Sequence, residues 1–128
     1  MGISDADFQF AKQRFPSLVV ARRAANGQID RVTLDALGVI GAGNTATRVY
    51  KTLITFEGFP NTPPEAMIQD PPQNQIRHRN IHGISPALKL PLVCMGNYAS
   101  VWNKMPVGQR NLLHFLLALH HVLMVEIG

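Results

Sequence analysis

The sequence contains a single cysteine, Cys94, in 128 residues, so no intramolecular disulfide can form. Stability has to come from a packed core, and a reducing cytoplasm is the expected compartment. Long hydrophobic runs are also missing. No apolar stretch reaches the ~18 residues needed to cross a bilayer. The opening segment, MGISDADFQFAKQRF, has two early acids and no apolar h-region. It fits neither a secretory signal nor a transit peptide. Gly2 follows Met1, but Asp5 and Asp7 close behind it argue against myristoylation. There is no repeat, linker or low-complexity tract.

What is present is enough apolar material for one core. Hydrophobic residues make up 46% of a chain of single-domain length, which excludes a disordered tail. Twelve Lys and Arg against eight Asp and Glu give a net charge of +4. A basic balance favours acidic partners. Lys12, Arg14, Arg22 and Arg23 gather in the first fifth of the chain, as a solvated helix face or a docking surface. The base–aromatic interleaving of single-strand binders is absent, which disfavours nucleic acid.

Residues 5–24 read as a helix with Asp5 as N-cap, open to a break at Pro16. The runs 31–40 and 48–56 are rich in β-branched and aromatic residues and read as strands. Period-2 spacing puts Tyr50, Ile54 and Phe56 on one face. Residues 57–92 are dense in proline and predict a short strand at Glu65–Gln69 within a long ordered loop. Residues 107–124 predict a core helix, with Leu112, Leu116, Leu119 and Leu123 as its stripe. The fold class is α+β.

Gly41-Ala42-Gly43-Asn44-Thr45-Ala46 fits a dinucleotide-binding fingerprint, since glycines let backbone approach a pyrophosphate at a helix N-terminus. The segment that follows, TATRVYKTLITF, reads as a strand instead. A hairpin loop at 41–44 is therefore the preferred reading, with the small dinucleotide-binding domain as an alternative.

Four features occur in a fixed order. A strand runs into Phe59-Pro60-Asn61-Thr62-Pro63-Pro64. His78-Arg79-Asn80-Ile81 follows, then Cys94 with Trp102 eight residues on, then the apolar helix. This order resembles the ubiquitin-conjugating enzymes. That family has a helix, an antiparallel meander, a Tyr-Pro-x-x-Pro-Pro corner, a His-Pro-Asn motif, the active cysteine, a Trp and a helix. Phe59 stands where the family has Tyr, and Val93-Cys94-Met95 keeps the apolar-Cys-apolar texture. Arg79 replaces the family's proline, GISPALKLP lengthens the gap from Asn80 to Cys94, and the family's later helices are missing. These features look like the divergent prokaryotic conjugating-enzyme-like proteins, some of them in antiviral defence operons.

The resemblance implies a fold of that type and a ubiquitin-like protein carried as a thioester on Cys94, then passed to an amine. It implies a ubiquitin-activating-like enzyme as donor and a JAB-type peptidase in the same system. It assigns His78 and Asn80 to the catalytic set, with Asn80 donating to the thioester oxyanion. Lys12, Arg14, Arg22 and Arg23 then become the docking face for the activating enzyme. No cofactor is implied. The same fold could also serve as a non-catalytic interaction module, with Cys94 as core and Asn80 as a loop brace. Trp102 reads as packing, and His114, His120 and His121 as satisfied or surface histidines. A metal site from His78, His82 and Cys94 lacks a clear fourth ligand.

Overall fold

The computed structural model of the chain describes residues 2–126. Helix α1 spans Asp5–Arg14 and is followed by strands β1 (Val19–Arg23), β2 (Ile29–Gly41), β3 (Asn44–Thr55) and β4 (Glu65–Asp70). Strands β5 (Ile81–Ile84) and β6 (Pro91–Val93) come next, then helices α2 (Tyr98–Lys104) and α3 (Leu112–Met124). All strand pairs are antiparallel, in the order β1-β2-β3-β4-β6-β5. The architecture is α+β, with an N-terminal helix, a six-stranded sheet and C-terminal helices.

The long β2–β3 hairpin is the frame. Alternation places Val32, Leu34, Ala36, Tyr50, Thr52 and Ile54 in the interior, paired as Val32↔Ile54, Leu34↔Thr52 and Ala36↔Tyr50. Phe56 continues the buried face, as its spacing predicts. Ala42 and Gly43 both take positive φ, which a tight two-residue turn between right-twisted strands requires. No helix follows the glycines, so the fingerprint reading of Gly41-Ala42-Gly43 gives way to a hairpin turn.

Helix α3 packs against β2 and α1. Leu112, Leu116, Leu119 and Leu123 are all fully buried. Gly38 makes the close approach possible, because a Cβ there would come within 2.9 Å of the Leu123 carbonyl oxygen. Asp7 of α1 accepts from the Leu112 N–H at 3.0 Å and so closes one orphan donor at the start of α3. Burial pushes the Asp7 carboxyl up from its ordinary range, against that hydrogen bond.

Several boundaries differ from the sequence reading, and the strands read at 31–40 and 48–56 run instead over Ile29–Gly41 and Asn44–Thr55. The first helix ends at Arg14, with Pro16 just beyond it, and residues 19–23 form edge strand β1 rather than more helix. Its N-cap is Ser4, whose hydroxyl accepts from the Asp7 N–H at 3.1 Å, not Asp5. The C-terminal helix begins at Leu112 because the Asn111 side chain caps it through the His114 N–H at 2.9 Å. Residues 107–109 form a separate short turn, and α2 precedes them. The stretch 57–92 is less open than expected. It contains β4, where a strand was expected, and also β5 and the start of β6. Among the described residues, no helix is long and apolar enough to cross a membrane.

Candidate active site at Cys94

The segment GISPALKLP, which lengthens the gap between Asn80 and Cys94, folds into an arm made of β5 and β6. Ile81 pairs with Val93 and Ile84 with Pro91, and the turn closes with Ser85 N–H donating to Leu90 O at 2.8 Å. Because the arm leaves and returns at one point, its two feet meet. The Cys94 N–H donates to the Asn80 carbonyl at 2.7 Å. Distance along the chain is thus not distance in space.

Cys94 is exposed. It lines a cleft of about 370 Å³ with Arg79, Asn80, His82, Met95, Asn97 and Val122 among its neighbours. Arg79 and His82 line the same cleft as the thiol. The sequence offers His82 as a metal ligand and as one of several histidines near Cys94, and Arg79 as the departure from the family's proline. Lys89, close to Cys94 in sequence, sits in the turn of the arm, where its N–H donates to Ser85 O. It does not line the cleft.

His78 and Asn80 do something other than face the thiol. His78 is 3% exposed and packs edge-on to Tyr50, with ring centroids 6.1 Å apart. Its Nδ1 accepts from the Asn80 N–H at 3.1 Å, which leaves Nε2–H to donate to Leu123 O at 2.7 Å. His78 is not among the residues lining the cleft. The Asn80 Nδ2 donates to Val122 O at 2.8 Å and to Val125 O at 2.9 Å. Both amide hydrogens are therefore committed to carbonyls at the end of α3. That end of the helix needs donors, and the 78–80 loop supplies them. In this geometry the Asn80 amide nitrogen braces the end of α3, and Asn80 also lines the cleft beside Cys94.

A second contact holds the same end of the helix. The Glu126 carboxylate accepts from the N–H of Arg79 at 2.9 Å, Ala42 at 3.2 Å and Gly43 at 3.4 Å. The Arg79 bond chiefly holds this carboxyl below its ordinary range, and the turn amides and His78 add to the effect. Nothing in the sequence marks Glu126, because all three of its donors are backbone groups.

The proline corner and Trp102 meet as a structural unit. Trp102 is fully buried, its ring centroid lies 5.8 Å from that of Phe59, and its Nε1–H donates to Pro60 O at 2.8 Å. Tyr98, one turn earlier on α2, packs on Trp102 and Phe115. Its hydroxyl lies 2.7 Å from His114 Nδ1, and burial pushes its pKa up to about 12, so the phenol stays protonated. His114 is thus satisfied, while His120 and His121 are exposed.

The four N-terminal bases do not share a helix. Lys12 and Arg14 are on α1, Arg22 and Arg23 on β1. Lys12 Nζ donates to Pro16 O and Leu18 O, at 3.1 and 2.6 Å. Arg22 forms a two-pronged pair with Asp30, and Arg23 reaches Asp5 at 2.8 Å. Arg14 lies over the Phe15 ring at 5.3 Å. It borders a larger, apolar groove of about 420 Å³ between the α1–β1 connection, β2 and α3, which holds no thiol.

Among the described residues no cluster of His, Cys, Asp and Glu could hold a metal ion. No family model, curated protein or solved structure matches this chain.

Proposed function

We propose that the protein is a compact ubiquitin-conjugating-like transferase that carries a ubiquitin-like protein on Cys94. The observation that carries the reading is the meeting of an exposed thiol with the His78–Asn80 segment across the base of the β5–β6 arm. The packing of the proline corner on Trp102 supports it. Both follow the motif order of the conjugating fold.

In this reading the Cys94 thiolate attacks the carbonyl of the thioester held by the activating enzyme. A C–S bond forms to Cys94 as the donor's C–S bond breaks, and the donor cysteine leaves as thiolate. An amine then attacks the Cys94 thioester, the C–N bond forms, and Cys94 departs as thiolate. The amine's proton passes to a base, and His82 is the imidazole that lines the cleft. Lys12 and Arg14 on α1, with Arg22 and Arg23 on β1, are the proposed docking residues for the activating enzyme. A JAB-type peptidase in the same system would reverse the modification.

The test mixes the protein with activating enzyme, ATP and modifier from the same operon. A thiol-sensitive adduct is expected, replaced by a thiol-resistant ester in Cys94→Ser and absent in Cys94→Ala. An adduct that persists in Cys94→Ala ends the assignment. A second reading, a non-catalytic module of the same fold, draws on one observation: the Asn80 amide nitrogen donates to two carbonyls at the end of α3. It predicts no adduct in any variant.

A further inference from the structure

The glycine-rich turn lies directly against the Arg77–His78 backbone. Gly41 pairs with Arg77, and a Cβ on Gly41 would lie 2.6 Å from the Arg77 oxygen and the His78 Cα. Only a glycine lets the hairpin tip close on this loop. The turn's two free amides, from Ala42 and Gly43, then converge on the Glu126 carboxylate together with the Arg79 N–H. Successive amides in a turn of this kind form a concave anion-binding nest.

We infer that Glu126 is a positioning residue for Cys94, a carboxylate latch that ties the β2–β3 turn and the end of α3 to the 77–80 loop. The coupling runs through consecutive groups. Arg79 N–H is held by Glu126, and the next residue, Asn80, holds the Cys94 N–H through its carbonyl at 2.7 Å. The same loop is held in the opposite sense, with His78 and Asn80 donating to Leu123, Val122 and Val125 carbonyls. Donors and acceptors alternate across the seam, so removing the carboxylate frees one side of it. The charged and titratable groups about it are His78 and Arg79 on the loop and Tyr50 on β3, whose ring Arg48 covers. The latch is closed when Glu126 is ionised and opens as pH falls through its folded pKa, which these hydrogen bonds hold under the ordinary glutamate range.

The inference rests on the reading of Cys94 as the functional thiol, but its test does not need the modifier. Amide hydrogen exchange by NMR reports the Cys94 N–H directly. In Glu126→Ala, exchange at Cys94 and Arg79 should quicken by about tenfold while Ile54 in mid-β3 stays unchanged, the mark of local and not global opening. Glu126→Gln, which keeps the shape, should fall between Glu126→Ala and the parent. In the parent, the Gly43 and Arg79 amide shifts should titrate together with a midpoint under the ordinary glutamate range, and in Glu126→Gln they should stay flat. Charging and discharge should both slow by a similar few-fold factor. If Arg79 exchanges faster but Cys94 does not, the latch is refuted. If the exchange result holds and the parent never forms a thioester, the functional reading falls and the latch stands.

Discussion

The two ends of α3 are closed in different ways. At its start, the helix enters an aromatic cluster: Tyr98, Trp102 and Phe115 pack together, and Phe59 completes the group. At its finish, the helix meets polar groups. His78 and Asn80 on the loop donate to its last carbonyls, and Glu126 just beyond it accepts from the loop and the β2–β3 turn. Packing of the first kind is nondirectional and yields only by leaving a cavity. A hydrogen-bonded seam can open locally while the core remains closed. Cys94 lies beside the second end, where a small rearrangement is easiest.

Breaking the aromatic end should have the largest effect. Trp102→Ala removes a fully buried indole and its bond to Pro60 O. A loss of about 3–5 kcal/mol in urea unfolding is expected, with a cooperative transition. Thioester formation should fall only as far as the folded fraction does. A loss under about 1.5 kcal/mol would mean that this end is not held by packing.

Breaking the polar end should cost less and act locally. Asn80→Ala deletes both donors to Val122 and Val125 and should lower stability by about 2 kcal/mol. As a brace, Asn80 should affect charging and discharge alike in paired single-turnover assays. An oxyanion donor would spare charging and slow discharge to free lysine, because charge builds on the thioester oxygen as the amine attacks. Selective loss of discharge, with stability intact, would return Asn80 to the catalytic set and require its amide to turn from α3.

The two ends were unequally legible in the sequence. The leucine stripe of α3 and the buried face of β3 follow from periodicity, and all of those residues are in the core. Edge strand β1 was misread as helix because VVARR, with four of its five residues exposed, has no apolar alternation. Helix α2 is seven residues long and has no side-chain cap, so it gave little signal. The polar seam was almost invisible. Asn80 and Glu126 act through partners on other elements, such as Val122 and Ala42, and on the backbone side every residue but proline offers the same N–H and C=O. The motif order could bring Asn80 to Cys94, yet it could not say which way the amide points.

The middle of α3 gives a third setting, and the smallest expected effect. Leu116 and Leu119 here border the apolar groove whose rim includes Arg14. Arg14 is also the N-terminal base best suited to a docking test. Reversing Arg22 would set a carboxylate against Asp30, and reversing Arg23 would set one against Asp5. Reversing Lys12 would lose its bonds to Pro16 and Leu18. Each would mix local repulsion or lost structure with any change in docking. Arg14 is exposed and its recorded contact is with the Phe15 ring, so Arg14→Glu should shift stability by less than about 0.5 kcal/mol. A rim charge acts on association rate, and salt screens it. Charging of Cys94 should therefore slow about two- to fivefold at low salt and recover near 0.5 M salt, with discharge unchanged. Equal charging rates for Arg14→Glu and the parent at low salt would leave Arg14 as a solvated charge and move the dock elsewhere on the molecule.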